Sequence, residues 1–303
     1  MIIVTGASGQ LGREIAPRLP ERVPAAQLGV SVRHPEKAQE LEERGIRVRR
    51  GDFTDAASLA QAFEGAAQVL IVSAGTTGDA AIRQHRTAID GAKAAGARRI
   101  LYTSHTGANP NSPFPPMPDH AATETLLWES GVAFTVLRNG FYAATAAMLL
   151  GHAVTTGELT VPEDGPVAWT THADLAEAAA IALTTTDLDG ITPALTGAET
   201  FDMTAVAALA SEITGRRIRR VVISDATYRE GLISQGVPKA AADMLVGLFA
   251  ASRQGAFAPA DPTLARLLGR SPISLRDVFR LFRESRDPTA VKGILFSVGS
   301  WHS

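Results

Sequence analysis

Cysteine is absent from the 303 residues. Disulfides, thiolate catalysis and cysteine-held metals are therefore excluded, and a reducing cytoplasm is the expected compartment. No uninterrupted apolar run reaches the roughly 18–20 residues a membrane helix needs, so no membrane partner is expected. An excess of one charge is missing too. The formal net charge is −2, which favours neither nucleic acid nor an anionic surface over a small molecule. The 7 histidines are scattered and no His/Asp/Glu group has ligand spacing, so no metal is expected. Residues 1–5 are an apolar strand leading into a glycine turn, not a charged stretch before an apolar one, so no secretory leader is expected. No internal repeat is visible.

What is present is an ordinary globular composition, 45% hydrophobic and 20% charged, sufficient for a substantial core. The first half alternates short β-branched runs with helically spaced apolar residues. Strands are expected over 2–4, 26–32, 46–49, 68–72, 99–102 and 134–137. Between them, Leu11, Ile15 and Leu19 mark a first helix that Pro17 would kink. Leu41 marks the second, Leu59 and Phe63 the third, Ile82 and Ile89 the fourth, and Leu126 and Leu127 the fifth. Gly45, Gly96 and Gly131 stand where C-cap glycines belong. Such alternation implies an α/β fold: a Rossmann-type doubly wound parallel sheet over residues 1–140.

The remainder, 141–303, reads as a smaller α+β substrate-binding lobe, partly interleaved with the first. Helices are expected over 143–152, 172–184, 204–214, 226–234, 239–252 and 275–284, and strands over 159–161, 194–196 and 218–223. The run Arg216-Arg-Ile-Arg-Arg220 would lie on an exposed strand rather than a nucleic-acid site. The proline-rich stretch 109–118 directly follows a strand and suits an active-site rim. Residues 287–303 have no clear place.

Gly6, Gly9 and Gly12 have the GxxGxxG spacing of short-chain dehydrogenases. Gly6 would end the strand in a tight turn and Gly9 would let the backbone approach a pyrophosphate. Gly12 would permit close packing of the following helix, whose N-terminus favours phosphate. Ala7, Ser8, Gln10 and Leu11 complete the cradle. At the end of the second strand, where an acidic residue would select NAD(H), stand Arg33 and then Lys37. An arginine pairs bidentately with a 2′-phosphate, so NADP(H) is the expected cofactor in preference to NAD(H). Asp52 and Phe53 would flank the adenine. Ser73, Ala74 and Gly75 would pass beneath the ribose and pyrophosphate, with Ser104 at the next strand end.

Together with these, Pro35-Glu-Lys37, Arg50-Gly-Asp52, Gln84-His85, Tyr102-Thr-Ser104, His120 with Thr123-Glu124, and Leu137-Arg-Asn-Gly-Phe-Tyr142 form a recognisable set. Over about residues 1–285 the chain resembles the NmrA-like atypical short-chain dehydrogenases, nearest the type 2 NAD(P)H:quinone oxidoreductases and triphenylmethane reductases. The resemblance implies NADPH in the cleft, hydride transfer to a quinone-like or cationic aromatic acceptor, and a second lobe enclosing it.

The Tyr-x-x-x-Lys pair of ordinary short-chain dehydrogenases is lacking. Tyr102 is followed by Thr106, Tyr142 by Ala146 and Tyr228 by Leu232. Either catalysis needs no strong acid, or the protein only senses nucleotide, as regulatory members of the family do. A quinone fits the first case, because hydride addition yields an aromatic product and positioning supplies much of the rate. His105, following Ser104, and His120, at the opening of the next helix, are the candidate proton donors. Asn139, Phe141, Tyr142 and Trp169 are the candidate substrate residues. With aromatics at only 6%, their grouping near one crevice counts for something. Within this class, a tailoring quinone reductase or monooxygenase component of aromatic polyketide biosynthesis, working with a partner protein, is a further reading. A homodimer is compatible with all of these.

Overall fold

The computed structural model of the chain describes residues 1–151, 153–185 and 188–284. The segment 287–303 and the last residue of the helix expected over 143–152 lie outside the described residues. The strands are β1 (Ile2–Thr5), β2 (Leu28–Val32), β3 (Arg47–Arg50), β4 (Gln68–Ile71), β5 (Arg99–His105), β6 (Ala133–Asn139), β7 (Phe141–Tyr142), β8 (Glu158–Pro162), β9 (Trp169–Thr170), β10 (Gly190–Ile191) and β11 (Arg219–Ile223). The crossover helices are α1 (Gly12–Ile15), α2 (Gln39–Glu43), α3 (Ala56–Ala62), α4 (Asp79–Ala94) and α5 (Pro116–Glu129). After them come α6 (Ala143–Leu150), α7 (Ala153–Thr156), α8 (His172–Thr184), α9 (Met203–Thr214), α10 (Asp225–Ser234), α11 (Lys239–Arg253), α12 (Thr263–Leu268) and α13 (Leu275–Glu284).

Seven strands form one parallel sheet in the order β10-β6-β5-β4-β1-β2-β3. The chain winds outward in both directions from β1, so the switch point lies between β1 and β4, where a crevice opens at the strands' carboxyl ends. On one face, Leu11, Ile15 and Leu19 pack with the alanine-rich α8 against Val4, Leu101 and Leu137. On the other, α3, α4 and α5 bury Leu59, Phe63, Ile89 and Leu127 against Ile71 and Tyr102. A third apolar cluster joins Phe141, Leu159, Trp169, Val206, Phe249 and Phe257 beyond the sheet. The doubly wound Rossmann-type architecture expected from the alternation is borne out.

Several boundaries differ from expectation, each for a physical reason. β5 and β6 run on to His105 and Asn139, since their registers stay paired to those residues. His105 and Asn139 thus end strands rather than follow them. The first helix lasts only through Ile15 and tightens to a 3₁₀ turn over Ala16–Glu21, because Pro17 and Pro20 supply no N–H. α5 begins at Pro116, inside the proline-rich stretch, where a missing N–H costs nothing; His120 therefore lies in the helix, not at its start. The strand expected over 194–196 is a single bridge from Leu195 to Asn139, and Gly190–Ile191 is the seventh strand instead. Arg99 anchors that region: its buried guanidinium donates to Thr135 and to the carbonyls of Ala182, Thr185 and Leu188. Arg219 and Arg220 lie on β11, which pairs with β8. Arg219 meets Glu158 on the surface, while Arg220 turns inward to Asp164.

Candidate active site

The glycine turn has the tight geometry its spacing predicts. Gly6 holds φ at 62°, a conformation that side chains disfavour, and its carbonyl accepts the Gly9 N–H at 2.9 Å. A Cβ on Gly12 would lie 2.2 Å from that same carbonyl oxygen, so only glycine lets the helix start this close to the strand. The N–H groups of Ser8, Gln10, Leu11 and Gly12 have no acceptor among the described residues, and residues 8–10 are exposed. Ala7 and Leu11 are buried and fix the turn from below. Free N–H groups above a tight glycine turn are what a pyrophosphate requires.

Arg33 and Lys37 stand exposed just past β2. Asp52 neighbours Arg33. Burial opposes its charge, but hydrogen bonds from Thr54 and the Arg33 and Arg50 charges outweigh this and hold its pKa below the usual carboxylate value. Its Oδ1 accepts both Thr54 N–H and Thr54 O–H, at 2.8 and 2.7 Å. Phe53 meets the ring of His85. Ser73 N–H donates to Thr103, and Ala74 N–H to Nε2 of His85 at 2.8 Å, which pins the loop over the sheet end. Gly75 is exposed.

One face of α5 carries the polar groups that meet β5. Glu124 is buried, takes two hydrogen bonds from Arg138 and accepts the Ser104 hydroxyl at 2.6 Å. The Ser104 hydroxyl is thereby committed inward. Asp119 accepts the Gly78 N–H at 2.7 Å, tying the loop after β4 to α5. His120 Nδ1 lies 2.7 Å from the Tyr102 hydroxyl.

At the ends of β5 and β6 the aromatic side chains converge. His105, whose Nδ1 accepts the Gly107 N–H, lies near-parallel to His120 at 6.3 Å and edge-on to Phe141 at 5.2 Å and Phe257 at 5.4 Å. Phe114, from the proline-rich loop, closes on Phe141 and Phe257. Asn139, beside His105 in register, is buried with an Oδ1 that has no hydrogen-bond partner among the described residues. Trp169 supports Phe141 from behind and gives its indole N–H to Phe201, so it lies one layer behind the crevice. Tyr142 points elsewhere, stacked 4.0 Å from His172. Phe114, Phe257 and His172 were not singled out from the sequence. His85 had a legible place, on the buried face of α4 with Ala81, Ala88, Ile89 and Ala92. Phe257 comes from a loop far along the chain, and no local pattern announces it. Among the described residues no group of three or more His, Asp or Glu is placed to hold a metal ion, and no helix is long and apolar enough to cross a membrane.

Residues 6–186 match the model of a family described as NAD(P)H-binding. Quinone oxidoreductase 2 of Escherichia coli is 36% identical over 91% of this chain and 96% of its own length. The crystal structure of NADPH-dependent quinone oxidoreductase QOR2 from E. coli complexed with NADPH superposes with a TM-score of 0.88 at 34% identity, over 93% of this chain and 99% of that one. Triphenylmethane reductase of Citrobacter sp., complexed with NADP(H), gives 0.85 at 29% identity, over 93% and 99%. The chain belongs to this NAD(P)H-binding family, and the NmrA-like kinship read from its motifs is borne out.

Proposed function

We propose that the chain reduces a quinone or a similarly planar conjugated acceptor, bound against the ends of β5 and β6. That it is an NAD(P)H-dependent oxidoreductase with NADPH as cofactor follows from its family and its relatives. The cofactor, when bound, supplies a hydride. The free N–H groups of residues 8–12 hold its pyrophosphate, Arg33 and Lys37 take the 2′-phosphate, and Asp52 and Phe53 border the adenine. Residues 73–75 and the main chain of Ser104 line the path toward the nicotinamide. The apolar cluster around Phe141, Trp169, Phe249 and Phe257 contributes the lobe that covers the acceptor.

The observation that carries the acceptor reading is the aromatic group itself. His105 stands against Phe141 and Phe257, which Phe114 backs, and His120 lies against His105, so two imidazoles able to give N–H bonds border one apolar wall. Flat, apolar walls with a few hydrogen-bond donors suit a planar ring bearing carbonyl oxygens. A quinone needs no Tyr-Lys acid, since aromatisation drives the hydride addition. Asn139, with its unpartnered oxygen, adds one acceptor at the same edge. The test is NADPH oxidation against a panel of quinones and cationic dyes, with and without oxygen. Quinones should turn over faster than dyes. Tight NADPH binding with no acceptor consumed would leave the chain a nucleotide sensor and sink this reading.

A further inference from the structure

Tyr102 is fully buried in β5, and burial pushes its hydroxyl well above the usual phenol range, so the proton stays on oxygen. That hydroxyl meets Nδ1 of His120 at 2.7 Å. Thr123, on the next turn of α5, already gives its own proton to the Asp119 carbonyl at 2.8 Å. His85 accepts the Ala74 N–H on Nε2, so its proton lies on Nδ1 and is donated to Thr123 at 2.8 Å. Thr123 therefore has no proton to offer Tyr102, and the buried phenol O–H, which would be costly to leave unpaired, goes to its hydrogen-bonding partner at 2.7 Å, Nδ1 of His120. An imidazole that accepts on Nδ1 carries its proton on Nε2. The Nε2 of His120 has no hydrogen-bonding partner among the described residues. Its ring lies against His105, which Phe141 and Phe257 border.

We propose that His120 meets the acceptor as a neutral imidazole, donating a hydrogen bond from Nε2–H to an acceptor oxygen, and that Tyr102 is the positioning residue that fixes this tautomer. The proposal rests on the quinone-reductase reading and assigns its electrophile. The acceptor gains the hydride, and one of its C=O π pairs moves onto oxygen. The oxyanion so formed takes the Nε2–H bond. No proton leaves the imidazole; the product's one remaining proton comes from water. Donors already aimed at the developing charge need no reorganisation during the step.

The surroundings keep His120 uncharged. Burial, followed by the positive charges His105 and His85 could bear, holds its pKa well below the ordinary value. Burial alone pushes His105 down to about 3 and His85 to about 4. Around Tyr102, Glu124 is ion-paired with Arg138, Asp119 is raised chiefly by burial, and Tyr142 is pushed up to about 12.

Nitrogen-15 NMR of the histidine-labelled full chain, free and with NADPH, reads the tautomer without any acceptor. His120 should carry its proton on Nε2 and show no titration between about pH 5.5 and 8. Tyr102→Phe keeps the ring and removes the donor. It should mix the His120 tautomers and lower kcat for quinone roughly tenfold, with KM for NADPH unchanged within about twofold. His120→Gln, whose amide N–H can stand where Nε2–H stood, should retain more activity than His120→Leu. A proton on Nδ1, a His120 cation forming near its ordinary pKa, or an unchanged kcat in Tyr102→Phe would overturn the proposal. An Nε2–H tautomer in a wild-type protein that turns over no quinone would support the tautomer and overturn the quinone reading instead.

Discussion

Arg33 stands at the end of β2, where the proposed site would meet the 2′-phosphate that distinguishes NADPH from NADH. It lies exposed past β2, close enough to Asp52 to help hold that carboxyl below its usual pKa. Charge-assisted bonds to a phosphate contribute about 1.5–3 kcal/mol, so Arg33→Ala should weaken NADPH binding roughly 10- to 100-fold. NADH, which lacks the 2′-phosphate, should lose less than about threefold. Titration of both nucleotides by fluorescence checks this, and equal losses would remove Arg33 from the phosphate site. Residue identity alone made this position legible, because the charge at a strand end is a local feature. The partners of His120 were not legible in that way. Tyr102 and His120 are brought together by the packing of α5 on β5, and spacing along the chain does not announce the contact.

Among the elements, the β1–α1 turn is the piece on which the proposed cofactor binding depends most. Gly12→Ala would drive a methyl group to 2.2 Å from the Gly6 carbonyl, so the turn must open. Overpacking of this kind costs about 1–3 kcal/mol, which should lower the melting temperature by a few degrees. NADPH affinity should fall at least roughly tenfold, because displaced N–H groups no longer converge on one phosphate. Calorimetry and nucleotide titration measure the two effects separately; a Gly12→Ala protein with wild-type affinity would show that the turn does not cradle the cofactor. The turn and the parallel strands were legible because each rests on a local pattern, glycine spacing or a β-branched run. Less legible were the strand ends, where pairing with a neighbour carries β5 to His105 and β6 to Asn139. The seventh strand was missed for the same reason: two residues at Gly190–Ile191 carry no periodicity, and Arg99 from the far end of β5 holds the chain leading to them.

The whole molecule stores several histidines in the uncharged form. Burial lowers His85 to about 4 and His105 to about 3, and burial with the Arg13 charge lowers His172 to about 4. In the unfolded chain these groups take protons near pH 6.5. Between about pH 4 and 6.5 the unfolded state therefore binds more protons, and stability must fall as the solution is acidified. Each such group contributes up to about 1.4 kcal/mol per pH unit in that window. Denaturant midpoints should be flat above about pH 7 and drop progressively below about 6. Replacement of His172 by Gln should shallow that drop; an unchanged acid profile would mean that His172 titrates alike in the folded and unfolded chain. The same burial that makes the molecule acid-sensitive keeps His105 and His120 neutral near pH 7.

If NADPH held at the β1–β4 switch point passes its hydride directly to a planar acceptor at the ends of β5 and β6, anaerobic single-turnover mixing will show it. Enzyme loaded with one equivalent of NADPH is mixed with excess quinone while reduced-nicotinamide absorbance is followed. Direct transfer gives a single-phase loss of that absorbance with one hydroquinone formed per NADPH consumed, slowed in His120→Leu. Saturated NADPH that survives mixing with every quinone, at the rate seen without protein, would contradict it.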